Sequence, residues 1–162
     1  MDRRIVAWSG AAVLFLALYA GVPLAGLAID RALGLASPPI PLRLAGPVLV
    51  FAGAAGLAWC FLLFAQARGT PNPILPPRRL VTEGPFAWTR NPIAGSHFLA
   101  VLGVALTVGS PAAIALTVLL GVPADFIIRR EERIVESRFG DAYRAYKASV
   151  PRWIPRRPRR QS

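Results

Sequence analysis

The sequence predicts an all-α polytopic membrane protein. It has four transmembrane helices, the last two folded as a hairpin, and then an amphipathic cytoplasmic C-terminal helix. Three observations carry this expectation. Of 162 residues 54% are hydrophobic, and they are gathered into runs. Residues 5–29, 44–67 and 91–124 contain no Asp, Glu, Lys or Arg. Of the 19 Lys and Arg, all but Arg31 and Arg43 fall at the N-terminus, between 68 and 90, or from Arg129 onward. A hydrocarbon core of roughly 30 Å is crossed by about 20 apolar residues in a helix. In lipid the helix is the fold that satisfies its own backbone. The skewed basic residues are the positive-inside pattern and place both termini in the cytoplasm.

The length is that of one domain, a single membrane domain over 1–162. The first span is expected at about 5–29. A signal peptide is the other reading of that run, but it exceeds a typical apolar h-region and Tyr19-Ala20-Gly21-Val22-Pro23 is a poor cleavage site. Pro38, Pro39 and Pro41 then interrupt helix. The second span, about 43–67, contains Gly46, Gly53 and Gly56 among alanines, small residues that let a helix or a ligand approach the backbone. The cytoplasmic loop 68–91 carries Gly69-Thr70-Pro71-Asn72-Pro73 and Pro76-Pro77, which forbid regular helix, and ends in a turn at Gly84-Pro85-Phe86. Spans at about 92–109 and 111–128 form the hairpin, turned by Gly109-Ser110-Pro111. Pro123 is expected to kink the second arm. The C-terminal helix and basic tail occupy 129–162. At 100° per residue Glu132, Val135, Phe139, Tyr143 and Tyr146 share one face, with Asp125 and Arg129 extending it. Gly140-Asp141 is expected to break that helix, with Asp141 capping its second part.

The net charge of +11 does not mark a nucleic-acid binder, because no groove-reading or aromatic-interleaved motif accompanies it. The tail Arg156-Arg157-Pro158-Arg159-Arg160 suits anionic headgroups. Cys60, alone in an apolar run, reads as a core residue, and no Cys/His cluster has metal-ligand spacing. His97, the single histidine, falls inside the hairpin. A hydrogen bond across helices is its plain role, and a functional one is the alternative. Asp125 has Arg129 as its local partner.

The pattern Gly-Thr-Pro-Asn-Pro at 69–73, Gly84-Pro85-Phe86, Arg90-Asn91-Pro92, Glu131-Glu132, Phe139-Gly140, Tyr143, Tyr146 and Val150-Pro151-Arg152 with Ile154-Pro155 resembles the membrane methyltransferases related to isoprenylcysteine carboxyl methyltransferase, with phospholipid methyltransferases as more distant members. The resemblance covers about residues 42–155. It implies S-adenosylmethionine as methyl donor, bound among membrane helices without a dinucleotide-binding fold. Two positions depart from it. Ala94 stands where relatives have a tyrosine, and Val135 replaces a leucine.

The residues also make the case directly. Methyl transfer from a sulfonium needs alignment and exclusion of water more than a strong acid or base. Glu131 and Glu132 suit the donor's ribose hydroxyls or ammonium. Arg90 suits its carboxylate, and Asn91 its adenine or ribose. Trp88, Tyr143 and Tyr146 suit the sulfonium or a stacked adenine. Glu132 and Arg90 are therefore the candidate catalytic residues, and Trp88, Arg90, Asn91, Pro92, Glu131, Glu132, Tyr143 and Tyr146 the candidate cofactor site, with no metal. Each has a plainer reading: Glu131 and Glu132 pairing with Arg129, Arg130 or Arg133, Arg90 as a headgroup anchor, Trp88 and Trp153 in an interfacial belt, and the two tyrosines as packing.

The expected reaction is methyl transfer to a lipophilic acceptor, such as an isoprenoid carboxylate or a phospholipid amine, at the cytoplasmic membrane face. The expected partners are that lipid or lipophilic substrate and the membrane. Two rivals remain: an NADPH-dependent reductase of sterol-reductase-like fold, and a non-enzymatic membrane adaptor.

Overall fold

A computed structural model describes residues 9, 12–67 and 79–156. These residues form helices and loops without a strand. The order is α1 (Ala12–Leu33), α2 (Ile40–Gln66), a 3-10 turn at Gly84–Ala87, α3 (Pro92–Val108), α4 (Pro111–Leu119), α5 (Gly121–Phe139) and α6 (Asp141–Ser149). Three stretches are long and apolar enough to cross a membrane: α1, α2, and α4 with α5 as one run, Pro111–Phe139. The apolar helix α3 is shorter.

Several boundaries differ from the sequence reading, each for a local reason. The helix of the first span continues to Leu33, so Asp30 and Arg31 lie within it. The part of that span before residue 12 lies largely outside the described residues. The second helix starts at Ile40, with Pro41 in its first turn, where a missing N–H costs nothing. Pro47 also lies inside α2. The Gly109-Ser110-Pro111 turn is as expected. Gly109 takes φ 69, Ser110 Oγ accepts from Ala113 N at 3.0 Å, and Pro111 opens α4.

The expected kink occurs as a break at Leu120, between α4 and α5. Pro123 cannot donate to the carbonyl of Leu119. Helix does not stop near 128 but continues as α5 to Phe139. It is then broken at Gly140, whose φ of 54 and ψ of -126 favour glycine. Gly140, not Asp141, occupies the N-cap of α6. Asp141 lies in the first turn, where its carboxylate pairs with Arg144 and suits the positive end of the helix dipole. Residues 68–78 of the expected loop lie outside the described residues.

The chain divides into two compact units, Met1–Ala54 with His97–Val122, and Ala55–Ser96 with Pro123–Ser162. In the first, backbones touch through small residues. A Cβ on Gly103 would stand 2.6 Å from Gly46 O and from Val50 N, and one on Gly26 would stand 2.5 Å from Ala113 N. Lipid tails supply no hydrophobic drive between helices, so such close approach is how they gain contact. The Gly46 part of the predicted small-residue stripe therefore serves helix packing.

Asp30, 8% exposed, ties α1 to the start of α4 by accepting the Ala112 N–H at 3.0 Å. Its other oxygen has no hydrogen bond among the described residues. The carboxylate satisfies one of the four free N–H groups of a helix start. Asp30→Ala is therefore expected to lower stability by about 1–2 kcal/mol, while Asp30→Asn keeps an accepting oxygen and loses less. Thermal unfolding in detergent measures both, and equal losses would remove Asp30 as a cap.

The second unit contains two apolar clusters. Cys60, Ala67, Val81 and Phe86 are buried together against Leu63, Phe64 and Ile93. Cys60 is fully buried, as its sequence context predicts. Tyr143, Tyr146 and Val150 form the other cluster, against Leu80, Val135 and Phe139. The face predicted from 132 to 146 thus holds together although a glycine interrupts the helix.

Candidate functional site

The site lies wholly in the second unit and is built around one carboxylate. Glu132, on α5, is 6% exposed. Arg90, just before α3, donates from Nε to Oε1 at 3.0 Å and from Nη2 to Oε2 at 3.5 Å. Arg152 donates from Nε to both oxygens at 3.2 Å and from Nη2 to Oε2 at 2.8 Å. Asn91 Nδ2 adds a bond to Oε1 at 3.3 Å. Two guanidinium groups and an amide therefore occupy both oxygens. A planar fork suits a carboxylate in a way a lysine ammonium does not. An ion pair this enclosed needs such a full set of bonds to offset its desolvation.

The C-terminal segment 150–156 closes the ring mainly through its backbone. The Arg90 N–H donates to Pro151 O at 2.9 Å, and Arg156 N–H to Trp88 O at 3.0 Å. Arg90 Nη1 donates to Val150 O at 2.8 Å and to Lys147 O at 3.0 Å. Thr89 Oγ1 donates to Arg152 O at 2.7 Å, and Asn91 Nδ2 to the same carbonyl at 3.4 Å. Asp125 joins from α5: it accepts from Arg129 Nε at 2.6 Å and Trp153 Nε1 at 2.8 Å, with Arg152 Nη1 at 3.7 Å. Tyr146 pins the 3-10 turn by donating to Phe86 O at 2.7 Å.

The predicted site residues fare unequally. Arg90, Asn91 and Glu132 are in direct contact, and Pro92 is buried as the first residue of α3. Tyr143 and Tyr146 are buried beside them, ring centroids 5.9 Å apart. Burial pushes the Tyr143 phenol up to about 12, with the Glu132 charge acting in the same direction. Burial raises Tyr146 as well, so both remain O–H groups at neutral pH. The hydrogen bond to Glu132 raises Arg152 further above neutrality. Trp88 is half-exposed, its ring edge-on to Trp59 at 5.6 Å. Glu131 is exposed and has no hydrogen bond or ion pair among the described residues.

The plainer pairing of the two glutamates with Arg129, Arg130 or Arg133 is corrected here. Glu132 takes Arg90 and Arg152, and Arg129 takes Asp125. Arg152 and Thr89 are the members that sequence reasoning did not assign. The Val150-Pro151-Arg152 motif was the visible signal for Arg152, and Thr89 directly precedes Arg90-Asn91-Pro92.

Residues 43–142 match the family described as phospholipid methyltransferase. The chain belongs to the phospholipid methyltransferase family. The region matched by the phospholipid methyltransferase family includes Trp88 through Pro92, Glu131 and Glu132, and ends before Tyr143 and Arg152. A Haemophilus influenzae (strain Rd) protein called "Uncharacterized protein" is 59% identical over 29 residues, 18% of this chain and 46% of that protein. The chain thus spans about half the length of the curated relative it matches. No solved structure matches.

Proposed function

We propose that the protein transfers a methyl group from S-adenosylmethionine to a lipophilic acceptor at the cytoplasmic face of a membrane. The observation that carries this reading is the Arg90–Glu132–Arg152 ring, with Glu131, unpaired among the described residues, adjacent to Glu132 in sequence on α5. Family membership supports the reaction class. Four spans are proposed, α3 crossing as the short third one, in a single membrane domain with both termini cytoplasmic. The region from Arg129 onward, the end of α5 with α6 and the tail, then lies at the cytoplasmic surface as the amphipathic element.

The residues present fit the proposed donor. Glu131 retains free carboxylate oxygens for an ammonium or ribose hydroxyls. Half-exposed Trp88 offers an aromatic face to a cation or an adenine. Arg152, with its side chain 23% exposed, supplies positive charge for a carboxylate. When bound, S-adenosylmethionine supplies an activated methyl on a cationic sulfur. Glu132 holds Arg90, Asn91 and Arg152 in one fixed arrangement, and the buried tyrosines exclude water beneath it. Arg90 joins α5 to the 150–156 segment, so the groups facing the donor are set before it arrives. That preorganisation is the chain's contribution to alignment.

The test is calorimetry and thermal unfolding of the purified protein with S-adenosylmethionine and, separately, NADPH. S-adenosylmethionine is expected to bind and to raise Tm, and NADPH to do neither. Glu131→Gln should weaken the binding without moving the Tm of the free protein, because Glu131 holds no hydrogen bond or ion pair among the described residues. Protection by NADPH alone, or by neither ligand, would overturn the reading.

A further inference from the structure

The charges of the second unit do not balance within the chain. Five of its six described carboxylates, all but Glu131, are already in ion pairs. Arg130 and Arg133 on α5 are exposed and have no ion pair or hydrogen bond among the described residues. Outside the described residues the sequence holds one acidic residue, Asp2, against seven arginines. That part of the chain therefore deepens the positive excess.

The two arginines share a face. At 100° per residue they fall with Phe126 and Ile134 within an arc of about 100°. Phe126 is 70% exposed and Ile134 55%, so this is the outward side of α5. Arg130 lies about 160° round the helix from Glu132, and the free carboxylate of Glu131 is turned about 100° from it. The donor site and this face are thus different sides of one helix.

Their depth suits one kind of partner. Ile128 is the expected last residue of the span. At a rise of 1.5 Å per residue, Arg130 and Arg133 stand about 3 and 8 Å beyond it. The polar layer of a bilayer leaflet is about 5–8 Å thick, so both guanidinium groups fall among the head groups. Side chains three apart on a helix are neighbours, and like charges there repel. A phosphate between them removes that repulsion and accepts from both planar forks. An exposed isoleucine beside them suits the boundary between head groups and acyl carbons.

We propose that Arg130 and Arg133 hold the phosphate of an anionic phospholipid against the outer face of α5. This contact is distinct from the donor site and does not depend on the methyl-transfer reading; it depends on α4 with α5 crossing the membrane. A lipid with net negative charge is favoured over a zwitterionic one, whose ammonium offsets the phosphate that the arginines attract.

The experiment titrates the full chain, in neutral-detergent micelles, with phosphatidylglycerol, phosphatidylcholine or inorganic phosphate, and counts bound lipid by native mass spectrometry. Phosphatidylglycerol is expected to bind more tightly than phosphatidylcholine, and millimolar inorganic phosphate not to displace it. Each arginine at such a surface contributes about 5-fold, so Arg130→Gln with Arg133→Gln should weaken phosphatidylglycerol binding by about 25-fold and leave phosphatidylcholine unmoved. Lysine at both positions keeps the charge and should restore most of the affinity. The Tm of the lipid-free glutamine variant should equal the parent's, since neither side chain has a partner to lose. Arg159→Gln with Arg160→Gln is the control for the basic tail and should cost less. Equal affinity for the two lipids, displacement by inorganic phosphate, parental affinity in the α5 variant, or an equal or larger loss in the tail variant would each overturn the proposal. So would a dimer that dissociates in the α5 variant while its lipid count stays parental, because the face would then belong to a second copy.

Discussion

Glu132→Ala is expected to abolish S-adenosylmethionine binding and to destabilise the protein by about 3–5 kcal/mol, the cost of leaving one side of a buried ion pair without its partner. The size follows from the number of groups it strands. Arg90, its side chain 9% exposed, loses both carboxylate contacts. Arg152 loses three bonds and retains only the longer approach to Asp125. Two cations then face each other across a void. Glu132→Gln preserves the volume and one accepting oxygen, and should keep part of the stability while still lacking charge. Calorimetry reads the donor affinity and thermal unfolding in micelles the stability. A Glu132→Ala protein with parental Tm would show that the ring does not hold the unit together. One with parental affinity would remove Glu132 from the donor site.

Gly103→Val is expected to be comparably damaging for a steric reason. The new Cβ would stand 2.6 Å from two backbone atoms of α2, Gly46 O and Val50 N. Neither atom belongs to a flexible side chain, so the helices must separate. Overpacking usually costs about 1–3 kcal/mol, and a clash with backbone belongs at the upper end. Gly95→Ala on the same helix is the control. No heavy atom lies within 4 Å of a Cβ there, so the gain in helix propensity, up to about 1 kcal/mol, should appear as unchanged or slightly raised Tm. If both substitutions behave alike, close approach of α2 and α3 is not what Gly103 provides.

The parts of this fold that were legible in the sequence are those dictated locally. Gly109-Ser110-Pro111 is a turn because a positive φ, a capping hydroxyl and a missing N–H each require it there. Gly140 breaks its helix for the first of these reasons. Apolar runs located the helices but not their ends, which moved where Pro41 fits a first turn and where Asp30 has a tertiary partner. Asp30 stays helical because the start of α4 takes its carboxylate. The π turn at Ala17–Gly21 was hidden, since a proline inside an apolar run does not fix which carbonyl the preceding N–H reaches. In the site, Arg90, Asn91 and Glu132 were legible as candidates through their motif, and the structure brings them into contact. Arg152 was not assigned, because helical spacing offers Glu132 nearer cations. Only the path of segment 150–156 brings a residue so far along the chain onto it. The structure places His97 against an aromatic ring from α1, a pairing that periodicity cannot specify.

The grip on segment 150–156 is mostly on main-chain carbonyls, reached by Thr89, Asn91 and Arg90. Carbonyls are common to every amino acid, so this clasp reads chain path and not spelling. Exposed Ile154 is free to drift to other side chains, and only Arg152 and Trp153 contribute side-chain bonds to the carboxylates of α5. Divergence along this stretch can therefore erase its resemblance to relatives while the enclosure it completes persists.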